Sequence, residues 1–338
     1  YTRQDVLEKV FDYNNEPFID NLRSMGFFVT DCSRSNYQYT LQSLSSTLNM
    51  DYLPQLDIRL KPGDKQPEVL RELIQHSKVR TYLSQKGYKF ISFANSYKGT
   101  LIPDADIYIQ ATGKNAVPVW SGYLNPFEEM FIKTTAGVIL YRLPMGKIGE
   151  WFEKISFPYS ERASTQLFML EELPNLVNET SPKFVFFHMN IPHRPYIFQP
   201  DGKIQTDTRY FSDDGWAINK EFEIRGYTNT VTFLNREIPG VVQTIIDESE
   251  QDPIIIIQGD HGIDQDNRNK IFYAIYPKED LGSEFYPSIS SVNTYRIIFN
   301  HYFGEAYELL PDKSYASSGI VKFTLDEIIE DNPICLDE

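Results

Sequence analysis

Apolar residues along the chain fall into two rhythms. Short unbroken apolar runs predict strands at 26–30, 88–93, 184–189, 253–258 and 271–276. Helical spacing covers 4–13, 17–25, 40–48, 66–86, 163–177, 223–249 and 292–303. In the longest of these, Leu234, Ile238, Val241 and Ile245 recur on one face, and Pro239 marks a point where the helix can kink. Strands alternating with helices predict an α/β fold, a three-layer α/β/α sandwich with a mostly parallel central sheet. Residues 95–160 mix Gly, Pro and aromatics and are expected to form an insertion or long loops over a site. No repeat divides the chain, so 1–338 is expected to be one domain, with a solvated acidic tail at 326–338.

The sharpest local pattern is Pro253 followed by Ile254, Ile255, Ile256 and Ile257. Four isoleucines in a row predict a strand buried on both faces. The run is followed by Gly259, Asp260, His261 and Gly262. In open α/β sheets chemistry sits beyond the carboxyl ends of strands. A carboxylate and an imidazole delivered there suit a divalent metal. A turn aspartate beside an incidental histidine is the plainer alternative, and the strand context favours the metal. The run 184–187 brings His188 to the same edge, where a core histidine bonded to backbone is the competing reading. His193 and Arg194 follow between Pro192 and Pro195, a stiff loop suited to an oxyanion such as phosphate or sulfate. Thr40 opens a predicted helix, where its hydroxyl meets the positive end of the helix dipole. Capping is the commoner job for such a residue.

Composition narrows the partners. The 47 acidic and 32 basic residues give a net charge of −15, which argues against nucleic acid and leaves room for a local basic pocket. The 22 Tyr and 23 Phe are read as packing material first. Cys32 and Cys335 lie near opposite ends without CxxC spacing, and indicate neither a disulfide framework nor a cysteine metal site. No apolar run approaches the length of a membrane span. The chain starts on helix-like sequence, so a strand or a membrane segment is expected ahead of Tyr1.

Three blocks in order resemble the sulfatase-like branch of the alkaline phosphatase superfamily, whose bacterial members include lipoteichoic acid synthases and phosphoethanolamine transferases. They are Ser35-Asn36-Tyr37-Gln38-Tyr39-Thr40-Leu41-Gln42-Ser43-Leu44, then Phe187-His188 through Pro192-His193-Arg194-Pro195, then Gly259-Asp260-His261-Gly262 after the long helix. The resemblance implies Thr40 as nucleophile and Thr40, Asp260 and His261 as ligands of a divalent metal (Mn, Zn, Mg or Ca). It implies His193, Arg194 and His188 as substrate contacts. It also implies a first carboxylate ligand on a strand ahead of Tyr1. True sulfatases carry Cys or Ser, converted to formylglycine, in a Cys/Ser-x-Pro-x-Arg motif. Here Thr40 is followed by Leu41, Gln42, Ser43 and Leu44.

The expected activity is therefore metal-dependent phosphotransfer or phosphodiester cleavage through a threonine nucleophile. The substrate would be a lipid head group or a cell-surface glycan. By the same resemblance the chain would be the soluble part of a membrane-anchored, extracytoplasmic protein. Sulfate ester hydrolysis without formylglycine, and a non-catalytic scaffold that keeps the fold, are the alternatives.

Overall fold

The helices predicted near the start form as α1 (Gln4–Phe11) and α2 (Glu16–Ser24), and both bury one side: Val6, Leu7 and Phe11 in the first, Phe18, Ile19 and Leu22 in the second. The computed structural model describes residues 1–56, 67–111, 159–211, 219–263, 266–317 and 325–328. Within these follow β1 (Phe28–Val29), α3 (Thr40–Asn49), α4 (Pro67–Gln75), α5 (Lys78–Gln85), β2 (Lys89–Phe93) and β3 (Ile107–Ile109). Then come α6 (Ser160–Glu172), β4 (Lys183–Phe186), α7 (Lys220–Glu248), β5 (Ile255–Gln258) and β6 (Tyr273–Tyr276). The described part ends with α8 (Lys278–Leu281), α9 (Thr294–Phe303), β7 (Ser314–Ser317) and β8 (Leu325–Ile328).

Two three-stranded ladders carry the central layer, in the orders β3-β2-β4 and β1-β6-β5. The first is parallel throughout, with Ile91 opposite Ile107 on one side and Val185 on the other. The parallel character expected of the sheet is carried by this half. In the other half β6 runs antiparallel to both β1 and β5. The reason is the connection: no crossover helix is described between β5 and β6, so the chain turns back instead of recrossing the sheet.

Helices cover both faces, which makes the three layers. Phe184 and Ile256 point to one side, where they meet a core that includes Val79 and Leu83 of α5 and Ile297 and Phe299 of α9. Ile255 and Ile257 point to the other, against Phe18 and Leu22 of α2 and Val242 of α7. Val185 likewise meets Met169 of α6 on that second side. The isoleucine strand thus serves two cores, as its composition predicted, but its residues are only partly buried and Ile254 is exposed. Among the described residues β4 and β5 each have one ladder partner, which leaves part of their surface uncovered.

Helix α7 runs unbroken through Pro239. Its inner face is Tyr227, Val231, Leu234, Ile238, Val242 and Ile246, so the expected face continues one residue later than Val241 and Ile245. Gly226 sits where this helix crosses the buried Tyr196. Strands β3, β7 and β8 were not expected. Residues 326–328, expected to begin a solvated acidic tail, instead pair with β7 as part of β8, while 329–338 and the 112–158 part of the expected insertion lie outside the described residues.

The cysteine expectation is corrected. Cys32 is buried and disulfide-bonded, and Cys335 is the chain's other cysteine. Distance along the sequence misled here: the chain after α9 returns to the loop that follows Cys32, where Tyr315 N–H donates to the carbonyl of Asn36.

A Cβ at position 226 would lie 2.3 Å from the Tyr196 ring. Alanine's helix propensity is worth about 1 kcal/mol over glycine, and overpacking against a ring that cannot move costs about 1–3 kcal/mol. Gly226→Ala is therefore expected to lower stability in urea unfolding despite the gain in propensity.

Candidate functional site

The loop 33–39 delivers Thr40 to the first position of α3. Tyr39 is extended at the N-cap and no side chain caps the helix, so its first-turn N–H groups are left for another partner. β5 ends at Gln258, and Gly259 follows because a Cβ there would lie 2.2 Å from the Tyr1 carbonyl oxygen. Asp260 and His261 then turn into the space above the strand ends. The loop closes as Gly262 N–H donates to the Arg268 carbonyl at 2.5 Å.

Residues far apart in sequence meet here. Thr40 Oγ1 lies 3.2 Å from His261 Nε2. His261 Nε2 lies 3.6 Å from Asp260 Oδ2, and His188 Nε2 lies 3.9 Å from the same oxygen on the other side. His261 Nδ1 is 2.7 Å from the Gly262 carbonyl, which can only accept, so the proton sits on Nδ1 and Nε2 offers its lone pair toward Thr40. Burial lowers the His261 pKa against the pull of Asp260, with Arg268 adding to the lowering. Asp260 is held well below the usual carboxylate range: burial pushes it up, but His261 and His188 together prevail.

His188 stands at the end of β4, and it is not a core histidine bonded only to backbone. Thr100 Oγ1 is 3.1 Å from its Nδ1, and Asn95 Nδ2 donates to its carbonyl. His193 is exposed at the mouth, with Nδ1 2.7 Å from the Arg194 carbonyl. Its pKa is lowered: water reaches the residue, but the surrounding chain withholds part of the ring's solvation, and Arg162 and Arg194 oppose the added charge, while Asp260 works the other way. Arg194, expected to meet the substrate, is ion-paired at 2.5 Å with Glu223 in the first turn of α7.

Sequence reasoning missed five neighbours: Asn95, Tyr97, Thr100, Arg162 and Arg268. Arg162 of α6 donates to the Asn190 carbonyl and so pins the His193 loop. Tyr97 lies close enough to Asp260 that the carboxylate adds to the effect of burial in raising its phenol pKa. Arg268 donates to the Gln38 carbonyl and lies 4.9 Å from the Tyr39 ring centre, beside the nucleophile position. An arginine seven residues after an Asp-His pair was a readable signal for the last of these.

The fit to a metal can be judged from donor spacing. Donors bound at 2.0–2.1 Å around a tetrahedral ion are about 3.4 Å apart. The separations of 3.2 and 3.6 Å bracket that value. No cluster of three or more His, Cys, Asp or Glu suited to a metal occurs among the described residues, so the set rests on one carboxylate, one neutral imidazole and one hydroxyl. Their chemistry and spacing fit a divalent ion.

An α/β/α sandwich with a helix-borne hydroxyl facing an Asp-His step at the strand ends defines the alkaline phosphatase class of architecture. The sulfatase family model matches residues 8–283, and the chain belongs to that family, a family of hydrolases and transferases. No sequence match is found among curated proteins. Among solved structures the fold is similar to the C-terminal periplasmic domain of EptC from Escherichia coli, at 11% identity, covering 96% of this chain and 89% of that one, with a TM-score of 0.56. It is also similar to the C-terminal periplasmic domain of the phosphoethanolamine transferase EptC from Campylobacter jejuni, at 11% identity, 90% and 86% coverage and a TM-score of 0.51. The soluble domain of lipooligosaccharide phosphoethanolamine transferase A from Neisseria meningitidis matches at 12% identity, 88% and 84% coverage and a TM-score of 0.52.

The lowered histidine pKa values have a sign that can be checked. Between the ordinary value of 6.5 and the lower folded values, the unfolded chain holds protons at His261 and His193 that the folded chain does not. This stabilising contribution is complete above 6.5 and is lost as pH falls through that window. Metal-depleted protein is expected to melt at lower temperature at about pH 5.5 than at about pH 7.5, and His261→Gln to reduce that difference.

Proposed function

We propose that the chain is a metal-dependent phosphotransferase or phosphodiesterase with Thr40 as nucleophile. The observation that carries this reading is the convergence of Thr40 Oγ1, His261 Nε2 and Asp260 Oδ2 within 3.2 and 3.6 Å of one another in sequence. These three side chains would hold a divalent ion. When bound, such an ion makes the threonine oxygen a better nucleophile by lowering its pKa and draws off negative charge developing on the phosphoryl group.

The chain's own residues supply the rest. Thr40 Oγ1, its proton lost to solvent, attacks phosphorus in line. The bond to the leaving alkoxide breaks and a phosphothreonine forms. The α3 N-terminus faces the phosphoryl oxygens with uncapped N–H groups. Arg194 and Arg162 bring positive charge to the His193 side. His193 is neutral, and with Nδ1–H tied to the Arg194 carbonyl its Nε2 accepts. It therefore suits taking the proton of the incoming water or acceptor hydroxyl, rather than neutralising an anion as the sequence led us to expect. Attack by that oxygen on phosphorus releases Thr40. His188 keeps Asp260 turned toward the metal position.

The likeness to periplasmic phosphoethanolamine transferase domains supports a lipid or glycan phosphodiester as substrate and an extracytoplasmic location on a membrane-anchored protein. The Cys32 disulfide supports an oxidising compartment independently. No helix among the described residues is long and apolar enough to cross a membrane. The E. coli EptC domain has been solved in complex with Zn, which supports zinc among the candidate ions. Membership of the sulfatase family favours sulfate ester hydrolysis as the second reading.

With bis(p-nitrophenyl) phosphate and p-nitrophenyl sulfate as probes, the phosphate diester is expected to be the better substrate. Thr40→Ala is expected to lose on the order of 10³-fold or more in kcat, and chelation to abolish turnover reversibly. Intact-protein mass of a quenched reaction should show a phosphoryl adduct that Thr40→Ala lacks. Unchanged diesterase activity in that variant would sink the assignment.

A further inference from the structure

The loop before Thr40 is buried, and the chain's last described strands help to bury it. Ser35, Asn36 and Tyr37 are fully inaccessible. Ser314 Oγ donates to the Ser35 carbonyl, and Asn36 Nδ2 donates to the Lys313 carbonyl. Tyr315 N–H donates to the Asn36 carbonyl at 2.9 Å, and its ring stacks on Tyr37 with centroids 5.5 Å apart. Tyr52, which packs edge-on to Tyr315, bonds to the same arm: its hydroxyl pairs with the Pro311 carbonyl and accepts from Lys313 N–H. Tyr37 is three residues from Thr40, so the arm acts on the nucleophile through a short connection of partly buried residues. Ahead of the same loop, one residue before Ser33, lies the disulfide-bonded Cys32.

We propose that residues 311–317 are a positioning element for Thr40, and that the disulfide of Cys32 fixes the start of the loop they bury, so that reducing the bond slows the reaction. The contacts run to backbone groups of 35 and 36 and to the Tyr37 ring, and none runs to the metal position. Loss of the arm therefore shifts the nucleophile and leaves the groups on the His193 side as they are. The chemistry balances with a dithiol as reductant. It gives two electrons and two protons, the S–S bond breaks to two thiols, and the dithiol closes to its own disulfide. The effect falls on kcat rather than KM, because misplacing a reacting atom by about 1 Å costs up to about 10²-fold in rate.

The inference rests on Thr40 being the nucleophile, and the test separates the two. The intact chain is reduced without denaturant until two thiols per chain are titrated, and Cys32→Ser serves in parallel if the bond resists. Hydrogen exchange at 33–41 is expected to rise while circular dichroism shows the fold retained. Turnover of bis(p-nitrophenyl) phosphate is expected to fall about 10- to 100-fold in kcat with KM unchanged. Tyr315→Ala should do the same, and Tyr315→Phe, which keeps the stacked ring, should restore both readouts. Full protection of 33–41 after reduction overturns the proposal, and so does raised exchange with unchanged kcat. If no form of the protein cleaves the diester, the functional reading fails, and the exchange data still decide whether the arm orders the loop.

Discussion

A loop can be buried only if its backbone polar groups find partners, and that requirement governs how this site is built. Residues 33–37 lie inside the molecule without being helix or strand, apart from Arg34, which is half-exposed. Each buried group left unpaired would cost about 1–3 kcal/mol, enough in sum to expel the loop. Three separate segments prevent this. Asn269 takes the N–H of Ser35 and gives its side-chain amide to the same residue's carbonyl. The turn at 289–292 exchanges bonds with Ser33, Arg34 and Asn36. The chain after α9 closes the third side. The place of Thr40 is thus decided by residues more than two hundred positions away, and the first of those segments follows directly from the Asp260–His261 loop. Thr40 and the Asp260–His261 step are thus held to one another by the same short stretch, 268–270.

The electrostatics are local rather than global. A chain of net charge −15 repels anions at a distance, yet its cleft draws on Arg162, Arg194 and Arg268, with Glu223 already paired to one of them. Asp260 is held among the histidines, and it is stabilised as an anion by them. The arginines therefore act at close range, inside the opposing field of the whole chain.

Much of this was legible. The isoleucine run and the glycines around Asp260 and His261 carry their own signal, because apolar continuity marks a core strand and glycine marks where the backbone must turn under crowding. Thr40, His188 and His193 could be placed as well, since strand ends converge in this architecture. What escaped has a common cause. Ser314–Ser317 has no apolar rhythm and becomes a strand only by pairing with residues elsewhere. Asn95 and Thr100 bond to His188, and Arg268 to the loop before Thr40, from short segments without periodicity. The inner face of α7 drifted by one residue after Ile238, because a straight helix of 29 residues does not keep strict register with a repeating pattern. Cys32 was misread because separation along a chain says nothing about distance in the fold.

The closure of that third side has a consequence for synthesis. Chains emerge N-terminus first, and the group that pairs with the Asn36 carbonyl belongs to Tyr315. The loop ahead of Thr40 is therefore made long before the segment that buries it, and stays open through most of translation. A copy still on the ribosome holds Thr40 without this support until the chain through Tyr315 has emerged.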